Sequence, residues 1–148
     1  MRIKDDLGKP DILIEGLEIW IHGRERPNTV DYWDGDWLRA TAHCGAKGSE
    51  VWVSGPILHL SEIKSWLENL EKINSTLSGR ANLDCMEPEL KVEMSAESLG
   101  QVLMRVEISP DQLRQFPSFE FETDQSYLPH LIKELKEVLG EYSIKGTP

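Results

Sequence analysis

The 148-residue chain has few cysteines and no long apolar run. Its two cysteines, Cys44 and Cys85, belong to no Cys-x-x-Cys pair, which argues against a disulfide framework and against a zinc ribbon. Unbroken apolar stretches are only a few residues long, whereas a helix needs roughly 20 residues to cross a bilayer. No apolar run follows the charged start at residues 1–6, so we expect no secretory signal. These absences predict a cytoplasmic protein with both thiols reduced.

The chain also lacks the short motifs of common enzyme classes. It contains no Gly-x-Ser-x-Gly, no Gly-x-x-x-x-Gly-Lys-Ser/Thr, no Gly-x-Gly-x-x-Gly and no His-Glu-x-x-His. His43 and Cys44 are adjacent on a predicted strand, so they point to opposite faces and cannot bind one metal together. The many carboxylates alternate with apolar residues, which is typical of solvated strand faces rather than of a glycosidase pair. We therefore predict no catalytic residue, no metal site and no cofactor.

Negative charge is abundant, and it is unevenly placed along the chain. The sequence has 26 acidic and 16 basic residues, which gives a formal net charge of -10. Residues 81–124 hold ten acidic and three basic residues, whereas 61–80 and 125–148 are each neutral. An acidic protein is a poor ligand for phosphate backbones and for anionic membranes. The charge therefore predicts a basic partner that is neither nucleic acid nor membrane.

The first half of the chain shows the period of two that is typical of strands. Apolar and polar residues alternate over 12–22, 37–44 and 50–54. A glycine-containing turn at 45–48 joins the last two segments, which predicts a β-hairpin. Residues 23–35 are rich in turn-forming residues and predict a long loop.

The second half contains two helical patterns separated by strands. Over 61–80 the apolar residues recur with a helical period, with Ser61 as a predicted N-cap and Gly79 as a predicted stop. A second amphipathic helix is predicted from about Ser126 to Gly140. Between the helices, strand alternation returns in three segments: 90–94, 102–106 and 119–121.

This order of elements predicts an α+β fold in a single domain, residues 1–148. Successive strands joined by short turns favour antiparallel pairing. Two amphipathic helices need a sheet face against which to bury their apolar stripes. We therefore expect a two-layer domain in which a mainly antiparallel sheet of about six strands carries both helices on one face. The other face is expected to be solvated and to collect the outward-facing charges of its strands.

Two tryptophans stand beside acidic residues. Trp20 lies on the outer side of its predicted strand together with Glu18, and Trp33 lies in a loop with Asp34 and Asp36. Local packing is one explanation of each tryptophan. A binding surface is the other, because aromatic side chains dominate the energy of protein interfaces.

Four short motifs occur in an order that resembles a known family. They are Asp-Gly-Asp-Trp-Leu at 34–38, Trp-Leu at 66–67, Leu-Asp-Cys-Met-Glu-Pro-Glu-Leu at 83–90, and a phenylalanine-containing strand at 119–121 before a closing helix. This arrangement resembles the WapI-type immunity proteins, which neutralise the toxic tail of a bacterial polymorphic toxin. The resemblance covers roughly residues 12–142.

The resemblance implies that the chain is not an enzyme and inhibits a cognate toxin domain by stoichiometric binding. The toxin is expected to be basic, and a nuclease is one candidate, because an acidic protein can cover a basic cleft. We expect a monomer or a weak homodimer. The residues expected to contact the toxin are Trp20, Trp33, Asp34, Asp36, Glu89, Glu93, Glu120 and Glu122.

Two other functions stay open at this point. One is a small-molecule-binding domain or a small enzyme in which loop 23–36 closes as a lid, which requires a deep apolar pocket with convergent titratable groups. The other is a scaffold or subunit module, which requires a persistent assembly with a partner other than a toxin.

Overall fold

The chain folds as two similar halves, each with four strands followed by a long helix. A computed structural model describes residues 6–148, and the charged start used above to argue against a secretory signal lies mostly outside them. Two single 3-10 turns, at Ser98–Gly100 and Gln125–Tyr127, accompany the regular elements. In chain order these are β1 Ile12–Ile14, β2 Leu17–Arg24, α1 Tyr32–Gly35, β3 Trp37–Ala46, β4 Ser49–His59, α2 Leu60–Thr76, β5 Arg80–Asp84, β6 Leu90–Ala96, β7 Gln101–Ile108, β8 Ser118–Asp124 and α3 Leu128–Glu141.

The strands form two antiparallel sheets of four strands each, so the prediction of one six-stranded sheet is wrong. The first sheet has the order β1-β2-β3-β4 and the second has the order β5-β6-β7-β8. The predicted strand 12–22 is in fact two strands, because the chain reverses at Glu15 and Gly16, where Glu15 takes a left-handed φ of 51°. After β4 the chain enters α2 directly, and β5 then pairs with β6 alone. The α+β class and the antiparallel pairing are confirmed.

Both sheets turn one face toward a common apolar core. Most inward residues of the predicted strands are buried as expected, and those of the second sheet include Val92, Met94, Val102 and Met104. Three others are only partly buried: Ile21, Val51 and Phe121. The apolar stripes of α2 and α3 close the same core cluster from the helical side. Because a period of two assigns alternate residues to one face, these inward positions follow from the sequence pattern.

The close approach of the two sheets depends on Gly16. A Cβ atom built at this position would lie 2.1 Å from the carbonyl oxygen of Gly45 and 2.8 Å from the ring of Phe121. Gly45 belongs to β3 of the first sheet, whereas Phe121 belongs to β8 of the second. Only glycine fits here, because any side chain would collide with backbone and ring at once.

The helix ends differ by a few residues from those predicted. His59, and not Ser61, caps α2, and Glu62 completes a capping box with it. The helix ends before Gly79, at Leu77, which takes the left-handed conformation with φ 58°. The predicted hairpin is confirmed, but β4 continues to His59. Among residues 6–148, no helix combines the length and apolar character needed to span a membrane.

Candidate partner-binding surface

The outer face of the first sheet is closed by aromatic side chains. Trp20 is only 3% exposed, and its ring stacks on Trp52 with 5.7 Å between ring centroids. Its Nε1 donates a hydrogen bond to the carbonyl oxygen of Gly8 at 2.9 Å, so the segment before β1 lies against it. The ring of His43 lies 4.3 Å from that of Trp52. We call Trp20, Trp52 and His43 the sealed face.

Carboxylates hold His43 within the sealed face. Its Nδ1 lies 3.1 Å from Glu18 Oε1, and its Nε2 lies 2.9 Å from Glu50 Oε2. Next to this group, Thr41 Oγ1 lies 2.8 Å from His22 Nε2 and is also hydrogen-bonded to a serine on β4. The polar groups of this face therefore bind one another, which is how buried polar groups are normally satisfied.

The outer face of the second sheet is open and concave. Antiparallel register sets Asn82, Glu93, Arg105 and Glu120 opposite one another in a row across the four strands. A second row places half-exposed Leu103 between neighbours on β6 and β8. Together the rows line a concavity of about 450 Å³, which we call the groove. Its outward-facing lining side chains are Arg80, Asn82, Glu93, Ser95, Leu103, Arg105, Glu120 and Glu122.

The charge of this outer face is mixed, with a small acidic excess. Arg105 stands at its centre, 3.5 Å from Glu107 and 3.9 Å from Glu120. These pairs are about half exposed, so each stabilises the fold little and leaves its carboxylate accessible to a partner. Four further acidic residues of 81–124 lie in the connections at both ends of the sheet: Glu87, Glu89, Glu97 and Asp111.

The acidic residues expected to contact a partner do not all lie together in the structure. Glu93 on β6 and Glu120 and Glu122 on β8 line the groove on either side of β7. Glu89 is half-buried at the start of β6, and its Oε2 is closed to solvent without a hydrogen-bond partner among the described residues. Trp33 is about half exposed on the short helix α1, away from the groove residues in the fold.

Two of the residues expected to contact the toxin, Asp36 and Trp20, have buried side chains, so neither is presented to a partner in this fold. Asp36 is 0% exposed. Its Oδ1 accepts a hydrogen bond from Arg24 Nη1 at 3.0 Å and another from the backbone N–H of Lys145, also at 3.0 Å. The neighbouring Asp34 is exposed and pairs with Arg26 at 3.6 Å. Asp36 therefore fastens loop 23–36 to the C-terminal segment.

Glu62 joins the start of α2 to the connection between β5 and β6. This buried carboxylate accepts the backbone N–H of His59 at 2.8 Å and that of Met86 at 2.7 Å. Burial raises the pKa of Glu62, although both backbone hydrogen bonds oppose the shift. The β5–β6 connection is thereby fixed at the N-terminal end of α2.

Neither cysteine has the properties of a nucleophile. Both thiols are free. Burial raises the pKa of Cys44 to about 12, and burial together with the charges of Glu62, Asp84 and Glu89 raises the pKa of Cys85. Thiols that stay protonated at neutral pH react slowly. Across residues 6–148, no three side chains of histidine, cysteine, aspartate or glutamate come together as a metal site.

The sequence analysis missed two exposed apolar residues on the β7–β8 loop. Leu113 is 89% exposed and Phe116 is 80% exposed. Both lie between Pro110 and Pro117, outside the strand segments predicted from the sequence. The signal available in the sequence was a pair of large apolar residues inside a proline-bounded loop that shows neither strand nor helix periodicity.

The fold and these surfaces define a class: a small α+β domain with one sealed sheet face and one open, charged sheet face. Residues 11–143 match the model of the immunity protein WapI-like family, and the chain belongs to this family. The resemblance noted over 12–142 is thereby confirmed, and membership supports an immunity role. Neither the search of curated proteins nor the search of solved structures found a match.

Proposed function

We propose that this protein neutralises a cognate domain of a bacterial polymorphic toxin by forming a one-to-one complex with it. Membership in the WapI-like family supports the immunity role. The observation that carries the choice of surface is the open groove of the second sheet, lined by Glu93, Glu120 and Glu122. No catalytic step is part of the proposal, since the described carboxylates on this face are solvated and its centre is an arginine.

The groove has the composition of a protein interface. Leu103, which is 46% exposed, lies inside it among charged and polar side chains, and interfaces combine apolar and polar contacts in this way. The acidic excess of residues 81–124 attracts a basic partner from a distance. Such steering can raise association rates to the order of 10⁸–10⁹ M⁻¹s⁻¹ at low salt. Rapid capture suits a protein that must bind a toxin before it acts.

The chemistry of the surface favours a basic toxin, and a nuclease is the partner we propose. A nuclease must hold phosphate groups, so its cleft carries clustered lysine and arginine. Carboxylates at Glu93, Glu120 and Glu122 can occupy the positions of phosphates in such a cleft and exclude nucleic acid. The complex is proposed to form in the cytoplasm, with one copy of the immunity protein for each toxin domain.

No observation favours the alternative in which loop 23–36 is a lid over a small-molecule site. Arg24 Nη1 donates to the carbonyl oxygen of Gly35 at 2.7 Å. Lys145 Nζ donates to the carbonyl oxygens of Pro27 at 3.0 Å and Thr29 at 2.6 Å. The first hydrogen bond joins the two ends of the loop, and those of Lys145 fasten it to the C-terminal segment. No residue of 23–36 lines the groove. We therefore retain the immunity function alone.

Co-expression with the toxin domain encoded beside this gene tests the proposal. The wild-type protein is expected to restore growth and to co-purify with the toxin domain. Replacing Glu93, Glu120 and Glu122 by Lys is expected to abolish both effects, because three attractive charges become repulsive. Free-energy changes on unfolding should stay within about 0.5 kcal/mol for exposed sites.

A matched control separates the surface from the total charge. Glu68, Glu137 and Glu141 are exposed on α2 and α3, and replacing them by Lys makes the same change in net charge. This variant is expected to protect as the wild type does. Full protection by the groove variant would rule out this surface, and failure of the wild-type protein to protect would rule out the function itself.

A further inference from the structure

The loop between β7 and β8, residues 109–117, presents two large apolar side chains to solvent. We propose that Leu113 and Phe116 are the apolar anchors of the toxin complex, an inference that rests on the function proposed above. Leu113 is 89% exposed and Phe116 is 80% exposed. Buried aromatic and aliphatic anchors carry most of the binding energy in protein interfaces, whereas charged rims contribute mainly to specificity and rate.

The loop is held in one conformation by hydrogen bonds of its own. Buried Ser109 is the centre: its Oγ donates to the carbonyl oxygen of Gln115 at 2.8 Å and accepts the backbone N–H of Asp111 at 3.1 Å. Gln112 Nε2 donates to the carbonyl oxygen of Ser109 at 2.7 Å. Asp111 Oδ1 accepts the backbone N–H of Leu113 at 3.1 Å.

These hydrogen bonds order the loop without using either anchor side chain. Leu113 and Phe116 are therefore free to be buried by a partner, and the backbone that carries them is already in place. A loop that is ordered before binding loses less conformational entropy in the complex. This arrangement differs from a flexible loop that happens to contain apolar residues.

A second connection is joined to this loop and also exposes an apolar side chain. The backbone N–H of Ser109 donates to the carbonyl oxygen of Glu89 at 3.0 Å, which ties the loop to the β5–β6 connection. Met86 of that connection is about half exposed, and its own N–H is held by Glu62. Methionine and phenylalanine are both enriched at protein interfaces.

The charges around the anchors indicate what kind of surface they fit. Acidic residues outnumber basic ones on the two connections, with Glu87, Glu89 and Asp111 against Arg114. A second copy of this chain is a poor occupant, because it would bring like-charged rims together. The occupant that fits is a toxin domain with an apolar pocket inside a basic surface.

The anchor loop is continuous with the groove. A concavity of about 330 Å³ beside Phe116 is lined in part by Pro88, Gln112 and Arg105. Arg105 also lines the groove, so one partner surface can cover both. The end of the second sheet thus supplies apolar contact, and its outer face supplies charge.

Substitution of the two anchors tests this inference directly. Binding of the purified toxin domain encoded beside this gene is measured by calorimetry for wild type and for Leu113→Ser/Phe116→Ser. The double variant is expected to raise Kd by at least about 30-fold. Equal thermal unfolding of the two proteins is expected, because both side chains are exposed.

A control variant lies at the opposite end of the same sheet. Leu99 is 98% exposed and Tyr127 is also exposed, so Leu99→Ser/Tyr127→Ser removes a similar pair of side chains. Its Kd is expected to stay within about threefold of wild type. A Kd within that range for the anchor variant, while wild type binds, would overturn the anchor assignment alone. Absence of binding by wild type would overturn the proposed function as well.

The salt dependence of Kd distinguishes binding by apolar contact from binding by charge. The increase in Kd caused by the anchor substitutions is expected to be the same at about 50 mM and about 500 mM salt, because apolar contact is not screened. The increase in Kd caused by the groove substitutions is expected to become smaller as the salt concentration rises over that range. If sedimentation instead shows a dimer of the free protein that the anchor variant abolishes, the occupant is a second copy and the inference is wrong.

Discussion

The outer faces of the two sheets have opposite character. On the first sheet, Trp20 and Trp52 stack against each other, and a histidine and carboxylates satisfy the polar groups beside them. On the second sheet, Leu103 and Arg105 are exposed in an open groove with carboxylates around them. Both faces are built from the same antiparallel pairing and the same alternation of residues. The faces differ in their side chains and in the segment at Gly8, which covers Trp20 on the first sheet.

Under the proposed function, this contrast assigns stability to one face and recognition to the other. Substitutions on the sealed face of the first sheet should destabilise the fold. The molecules that remain folded should still bind the same partner. Substitutions on the groove should leave the fold intact and change binding. Stability measurements on matched variants of the two regions can break this division.

Truncation of a sealed tryptophan should destabilise far more than truncation in the groove. Trp20→Ala is expected to lower the free energy of unfolding by about 3–5 kcal/mol, because it leaves a cavity and an unpaired carbonyl at Gly8. Leu103→Ala, in the groove, is expected to cost about 1 kcal/mol or less, because half of that side chain is already in water. Chemical denaturation of both variants measures the difference. Equal losses would show that the two faces do not differ in this way.

The buried ion pair of Asp36 should contribute more to the free energy of unfolding than the exposed ion pair of Glu120. Asp36→Ala removes a fully buried partner of Arg24 and an acceptor of the Lys145 N–H, and is expected to cost about 3 kcal/mol. Glu120→Ala removes an exposed partner of Arg105 and is expected to cost less than about 0.5 kcal/mol. Denaturation curves in urea compare the two. A loss below about 1 kcal/mol for Asp36→Ala would contradict its structural role.

The smallest expected effect concerns the pH dependence of Glu62, which connects the two halves. Its pKa is raised in the folded protein from 4.5, mainly by burial, so folding favours the protonated form. Stability linked to this group is therefore greatest below pH 4.5 and falls as the pH rises through the raised pKa. Glu62→Gln removes this dependence.

The measurement for Glu62 is unfolding at two pH values. The stability of Glu62→Gln relative to wild type is expected to be better at pH 7 than at about pH 4, since only wild type must ionise a buried carboxyl. The Gln side chain keeps one oxygen acceptor, so the backbone contacts to His59 and Met86 are lost only in part. A relative stability that worsens toward pH 7 would contradict the assigned direction.

The sequence predicted local features well because they depend on periodicity. Alternation placed Val92 and Met104 in the core and Glu93 and Glu120 on an outer face, and the helical period identified the buried stripe of α2. Each of these assignments depends only on residues a few positions apart, so no knowledge of the tertiary structure was needed.

The errors concern contacts between residues far apart in the chain. The division into two sheets depends on which strands pair along their edges. The alternation of apolar and polar residues does not determine that pairing. Trp20 is closed by the segment at Gly8, and Asp36 by the backbone of Lys145 in the C-terminal segment. The anchors Leu113 and Phe116 lie in a loop with no period at all, and the hydrogen bonds that fix it became visible only in the structure.

Mapping of the toxin-binding surface tests the central claim most directly. Backbone amide chemical shifts of the isotope-labelled protein are compared before and after addition of the unlabelled toxin domain. The largest changes are expected in β6 to β8 and in the connections 85–89 and 109–117, with β2 and β3 little changed. Changes concentrated on the sealed face of the first sheet, with the second sheet unaffected, would contradict the division of roles between the two sheets.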